Sequence, residues 1–131
     1  MQLDPIVAAA GIGLKVHDTI ASTNTEACQL ARAGERAALW ITAKQQTAGR
    51  GRRGNTWISE PGNLYASLLL PDVPPGRAGD LAFVAALAVH DAVGELAPDM
   101  AFRLTLKWPN DVQIGNSKFA GILIERRIPG R

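Results

Sequence analysis

Apolar residues return along this chain with two different periods. From 78 to 96, Leu81, Val84, Ala85, Ala88, Ala92, Val93 and Leu96 recur every three or four positions, the repeat of one buried helix face. From 102 to 108, Phe102, Leu104, Leu106 and Trp108 alternate with Arg103, Thr105 and Lys107, which predicts a half-buried strand. A short apolar run at 38–43, with Trp40, Ile41 and Thr42, reads as a buried strand. Residues 63–70 read as another, ended by Pro71 and followed by the turn Pro74-Pro75-Gly76. Residues 111–114 and 119–124 read as two strands about the tight turn Gly115-Asn116-Ser117. An earlier helix opens at Ser22-Thr23-Asn24-Thr25-Glu26, where Thr23 and Glu26 have the spacing of a capping box, and it stops near Gly34. The order helix, strand, loop, strand, helix, strand, hairpin predicts an α+β fold, with a mixed or antiparallel sheet and helices packed on one face.

With 131 residues the chain is one small domain or part of one. Hydrophobic residues at 47% and charged residues at 20% exclude a disordered tail. A net charge of +2 is too mild to argue for nucleic acid by bulk charge. The single cysteine, Cys28, excludes an internal disulfide framework and a cysteine zinc cluster, and points to a reducing compartment. The weakly polar stretch 81–96 contains His90, Asp91 and Glu95 and is too short to span a bilayer. The mildly apolar stretch 6–14 follows Asp4 and Pro5 with no basic region before it, unlike an export signal. A cytoplasmic protein with no membrane partner is the expectation.

The segment 44–62 changes character. It contains Gly49-Arg50-Gly51-Arg52-Arg53-Gly54, and Lys44 with the three arginines puts four cations into ten residues with no acid among them. Glycine lets backbone N–H groups approach an anion, and arginine offers a forked donor that is always charged. Three readings remain at this point: anion binding, a plain flexible loop, and an Arg–Gly contact to RNA. The Gly-Lys-Ser/Thr of a P-loop is absent. A glycine-rich loop of like charges is also expected to stay disordered without ligand.

Lys107-Trp108-Pro109-Asn110-Asp111 is a second candidate, where a cation and a carboxylate flank a rigid turn. Phosphate and Mg²⁺ binding stands there beside ordinary turn chemistry and a surface ion pair. Lys118 opens an apolar strand in which Gly121 suggests close approach to the backbone. Ser22-Thr23-Asn24 caps a helix, and a helix N-terminus also presents N–H groups to a ligand. His17 and His90 have no partner at metal-ligand spacing and read as packed or surface residues.

Together these blocks resemble the biotin–protein ligases. The matching text is Ser22-Thr23-Asn24, the run from Gln46 to Gly54 with Trp57, Lys107 to Asp111, and Lys118-Phe119-Ala120-Gly121-Ile122-Leu123, in this order over residues 14–127. The resemblance implies an ATP-dependent, AMP-forming ligase on the class II synthetase-like fold. It would make biotinyl-5′-AMP from biotin and ATP with Mg²⁺, then pass biotin to a lysine of the biotin carboxyl carrier protein of acetyl-CoA carboxylase. It implies biotin ligands at Ser22, Thr23, Asn24, Gln46, Arg50, Gly51, Arg52, Lys118 and Gly121. It implies ATP or adenylate contacts at Arg50, Arg53, Trp57, Lys107, Asn110 and Asp111, with Asp111 facing the metal. Arg50, Arg52 and Lys118 would carry the chemistry.

Two departures stand out. Asn55 follows the loop where many members carry a further basic residue, and the family's catalytic domain continues past Ile128-Pro129-Gly130-Arg131. Residues 1–131 are therefore expected to be an incomplete catalytic domain, with neither an N-terminal DNA-binding domain nor a C-terminal small β-barrel. The strand 119–124 would then be an open sheet edge able to pair with a second copy. A lipoate- or octanoyl-transferring relative and a biotin-binding but catalytically incomplete fragment are the alternatives. A non-catalytic nucleic-acid binder is disfavoured, because only Trp57 lies near the arginines to stack a base.

Overall fold

A computed structural model describes residues 1–108 and 110–127. It divides into two compact units, Met1–Val73 joined by Arg127, and Pro74–Arg126. The α+β class holds in each, and the strands fall into two sheets of three.

The first unit begins with a short helix α1 (Pro5–Ala9), whose N-terminus Asp4 caps by accepting the Ile6 N–H at 2.8 Å. Then follow β1 (Gly13–Ile20), α2 (Thr23–Arg32), β2 (Leu39–Gln46) and β3 (Tyr65–Leu69). β2 is central, parallel to β1 and antiparallel to β3. A parallel pair needs a crossover, and α2 supplies it. Ile41 and Ala43 on β2, Tyr65 on β3 and Ala27 on α2 are buried and form the core of this unit. Sequence periodicity does not clearly reveal β1, because Asp18 interrupts the apolar alternation of Leu14, Val16 and Ile20. β2 also runs three residues further than expected, so Lys44–Gln46 is strand, not loop.

The second unit contains α3 (Asp80–Leu96), a 3-10 turn over Pro98–Arg103, and the antiparallel strands β4 (Leu104–Lys107), β5 (Asp111–Ile114) and β6 (Ser117–Gly121). Gly115 turns the β5–β6 hairpin at φ +60°, a left-handed conformation that suits glycine. A register shift between Val112 and Gln113 follows. The second hairpin strand thus lies over 117–121, not 119–124, and β6 is an edge strand. The expected strand at 102–108 shortens at its start, because Phe102 and Arg103 belong to the 3-10 turn.

The core of this unit is Ala86, Leu104 and Val112, with Val89, Val93, Ile114, Ala120 and Ile122 against it. The buried face of α3 is therefore rotated from the one expected. Val84 and Leu96 are exposed, and the alanine that reaches the sheet is Ala86. An alanine-rich helix has little contrast between faces, so the strands decide which side they cover. Val112→Ala is expected to cost about 2 kcal/mol through the cavity it leaves. Val84→Ala should cost less than about 0.5 kcal/mol. Urea unfolding with an unchanged slope measures both.

Candidate active site

β1 and β2 run parallel, so their carboxyl ends lie side by side, and α2 starts there. The Thr47 N–H donates to Ile20 O at 2.9 Å and the Ala48 N–H to Ala21 O at 2.8 Å, which fastens the two strand ends together. The mouth of such a parallel pair is where α/β sheets commonly hold ligands.

Ser22 has extended backbone, and its Oγ accepts the Thr25 N–H at 3.2 Å. Ser22 therefore caps α2, and the capping box built on Thr23 is corrected. Glu26 is drawn instead to Lys15 on β1, with His17 Nε2 3.7 Å from the same carboxylate oxygen. Thr23, released from capping, binds Gln46 at the end of β2. Its N–H donates to Gln46 Oε1 at 2.8 Å, and its Oγ1 lies 3.1 Å from that oxygen and 2.8 Å from Ser67 Oγ. Ser67 donates in turn to Asn24 Oδ1. Gln46 Nε2 donates to Ser59 Oγ at 3.0 Å, and Ser59 donates to the Trp57 carbonyl at 3.0 Å.

Ser22, Thr23, Ser59 and Ser67 are all buried. Each hydroxyl has one proton to give. With Ser67 donating to Asn24, the Thr23 proton is shared between Gln46 and Ser67, and the Asn24 amide nitrogen is left as a donor. Ser22, whose oxygen accepts at the cap, likewise keeps its own proton to donate.

Gly49 is buried at the base of the arginine loop. A Cβ there would sit 2.5 Å from Ser59 Oγ, 2.5 Å from the Trp57 carbonyl oxygen and 3.0 Å from Gln46 Nε2. The loop is not the disordered segment expected from its composition. The Trp57 N–H donates to Gly49 O at 2.9 Å and the Gly51 N–H to Asn55 O at 2.7 Å, closing a small hairpin over a 3-10 turn at Arg52–Gly54. Arg53 holds φ 57°, ψ 31° inside that turn. Arg50, Arg52 and Arg53 are exposed, and Arg50 Nη2 donates to Thr25 Oγ1 at 3.1 Å.

The second unit gathers the remaining candidates around one hairpin. Lys107 and Asp111 face each other across β4 and β5, and Asp111 pairs with Gly121 across β5 and β6. The Asp111 carboxylate lies 3.2 Å from Lys118 Nζ. Lys107 is exposed, so the carboxylate expected to partner it is engaged by Lys118. Asn110 is buried, donates to the Ile122 carbonyl, and leaves its own Oδ1 without a partner. Trp108 packs on Phe83 with ring centroids 4.8 Å apart. Pro109 and residues 128–131 lie outside the described residues.

Within the first unit the fold thus brings Ser22, Thr23, Asn24 and Gln46 together, with Arg50, Gly51, Arg52, Arg53 and Trp57 on the loop that follows. Within the second it brings Lys107, Asn110, Asp111, Lys118 and Gly121 together.

The sequence model of the biotin/lipoate A/B protein ligase family matches residues 16–131. The chain belongs to that family. Among its relatives, the biotin–[acetyl-CoA-carboxylase] ligase of Paracoccus denitrificans is 50% identical over 79% of this chain and 43% of its own length. The biotin protein ligase of Leishmania major, solved with biotinyl-5-AMP, superposes with a TM-score of 0.76 at 32% identity, over 88% of this chain and 52% of that one. The ligase of Aquifex aeolicus, solved with biotin and ATP, gives 0.68 at 28% identity, over 90% and 55%. The chain spans about half the length of these relatives. Among the described residues, no helix is long and apolar enough to cross a membrane.

Sequence reasoning passed over Ser59, Ser67 and Thr25 as site residues, and read Gly49 as part of the loop without its close packing on Ser59 and Trp57. Ser67 had a readable signal, because it occupies an inward position of β3 between Tyr65 and Leu69. A serine there asks for a buried partner. Ser59 had none, since only the hairpin closure brings it to Gln46. Gly49→Ala is expected to force the Trp57 carbonyl and Ser59 aside, because a backbone carbonyl cannot rotate out of the way. Amide exchange at Gly51 and Trp57 should rise at least about tenfold, as opening costs fall by about 1–3 kcal/mol.

Proposed function

We propose that this chain carries the biotin-handling and nucleotide-handling residues of a cytoplasmic biotin–protein ligase. The reaction would join biotin to ATP and pass biotin to a lysine of the biotin carboxyl carrier protein of acetyl-CoA carboxylase. The observation that carries this reading is the cluster of buried Ser22, Thr23, Ser59 and Ser67 with half-buried Asn24 and Gln46, and the Gly49–Gly54 loop at its edge. A fused ureido ring has both donors and an acceptor to pair with such groups. An octanoyl or lipoyl chain has none, and would leave the buried hydroxyls to be desolvated unpaired. The relatives named as biotin ligases support the same choice.

In the first step a carboxylate oxygen of biotin attacks the α-phosphorus of ATP. The P–O bond to the β-phosphate breaks and pyrophosphate leaves. Two anions must meet, so fixed cations are required where charge develops. From the family resemblance, Arg50, Arg52 and Lys118 are assigned to that charge, Arg53 and Lys107 to the phosphates with Asn110 beside Lys107, and Trp57 to the adenine side, with Gly51 and Gly121 allowing close backbone approach. In the second step the carrier lysine, as free amine, attacks the acyl carbon and AMP leaves with the bonding electrons.

Mg²⁺ would come with the triphosphate. The described residues include no cluster of three His, Cys, Asp or Glu that could hold a metal. Asp111 is a single hard oxygen donor, which fits an ion that keeps most of its ligands as phosphate and water. The ion would offset charge on the phosphates.

Calorimetric titration of biotin into this chain is expected to give one site. Thr23→Val should bind about tenfold or more weakly, because Ser67 and Gln46 lose a buried partner. Lys118→Ala should keep the fold, read by circular dichroism, while pyrophosphate release falls by about 100-fold or more, the scale of losing one preorganised charge. Absence of biotin binding by the unaltered chain would overturn the reading.

A further inference from the structure

The arginine loop and the start of α2 meet at a side-chain contact outside the polar cluster. Arg50 Nη2 donates to Thr25 Oγ1 at 3.1 Å. Thr25 follows Asn24 directly, and Arg50 follows Gly49 directly. The contact therefore joins the two segments one residue beyond the cluster on each side. We infer that Thr25 is a positioning residue that fixes Arg50 beside the polar cluster before any ligand arrives. The inference rests on the proposed biotin site for its purpose, and on this contact alone for its geometry.

Three features support it. The Thr25 hydroxyl is separate from the helix cap, because Ser22 takes the Thr25 backbone N–H and leaves the side chain available. The acceptor is also neutral. A carboxylate at this position would hold the guanidinium more tightly but set an opposing charge against it, whereas a hydroxyl orients Arg50 and adds no charge of its own. Finally, the loop's hairpin is closed by backbone bonds while its three arginines are exposed, and Arg53 sits in a left-handed conformation. A side-chain tether to a helix removes freedom that ligand binding would otherwise have to remove.

The direct readout is trypsin cleavage after Arg52 and Arg53 in the ligand-free chain, followed by mass spectrometry. Thr25→Val is nearly isosteric and keeps the capped backbone N–H, so the fold is expected to persist, with circular dichroism as the check. Its loop should be cut about threefold or more faster than that of the unaltered chain, whereas Thr25→Ser, which restores the hydroxyl, should match the unaltered chain. Thr25→Ala repeats the loss with a residue better suited to helix. Equal cleavage in all four proteins, or fast cleavage in Thr25→Ser, overturns the inference.

Biotin titration supplies the second readout. Thr25→Val should bind about threefold or more weakly, with Thr25→Ser restored, and equal affinity overturns the positioning role. If the unaltered chain binds no biotin, the proposed function fails while the cleavage series still decides the tether.

Discussion

The side-chain amide of Gln46 is the joint on which the first unit's chemistry depends. It stands at the last residue of β2, where the strand gives way to the glycine-rich loop. Its oxygen receives the Thr23 N–H from the first turn of α2, and its nitrogen donates to Ser59 where the loop returns. A backbone bridge runs alongside, from the Gln46 N–H to Ser59 O at 3.1 Å. One residue thus fixes the start of a helix, the end of a strand and the closing of a loop. A shorter amide reaches less far, and a glutamate has no N–H to give Ser59.

That joint exists because β1 and β2 are parallel. An antiparallel pair would bring the start of one strand to the end of the other, and α2 would have no reason to begin beside Gln46. The crossover makes Ser22–Thr25 and Gln46–Arg50 neighbours although they are more than twenty residues apart. Period-two alternation then sorts the sheet into two faces. Ile41, Ala43, Tyr65 and Ser67 turn toward α2, while Trp40, Thr42 and Ala66 turn the other way and line a cavity of about 220 Å³ with Met1–Leu3, Leu14 and Leu64. The cavity is mainly apolar, and the hydrogen-bonding cluster stands on the opposite face.

The sequence makes the α+β class, the long helix, the hairpin at Gly115 and the polar blocks of the candidate site legible. These are local signals, carried by spacing or by residues with special backbone needs. β1 is hard to read because Asp18 falls in the phase of Leu14, Val16 and Ile20, and the charges at Lys15 and Asp18 serve α2 and β2 instead. Lys15 pairs with Glu26, and Asp18 lies 3.0 Å from Lys44. The capping box on Thr23 misleads because Ser22 is an equally good cap, and the Glu26 carboxylate that would reach back to a free N–H is drawn instead to Lys15, eleven residues away. The loop misleads in a different way. Its composition argues against order, but backbone bonds from Gly49 and Gly51 close it regardless of side-chain charge. Ser59 and Thr25 become site residues only through that closure, so no local pattern marks them.

The two kinds of polar group in the first unit divide the work of recognition by their exposure. The hydroxyls around Gln46 are buried, so leaving one of them unpaired costs about 1–3 kcal/mol. In the proposed site that penalty would select a ligand whose donors and acceptors match. The arginines are exposed, so their attraction for an anion is screened within about 8–10 Å at ordinary ionic strength and discriminates little between one anion and another. In the proposed reaction they would supply charge held close to the reacting groups. The glycine-rich loop is the element that can supply this without burying a cation, since its backbone closes on itself while the guanidinium groups stay in water. A strand or helix in the same place would have to desolvate those charges to bring them as near, at a cost of several kcal/mol for each ion.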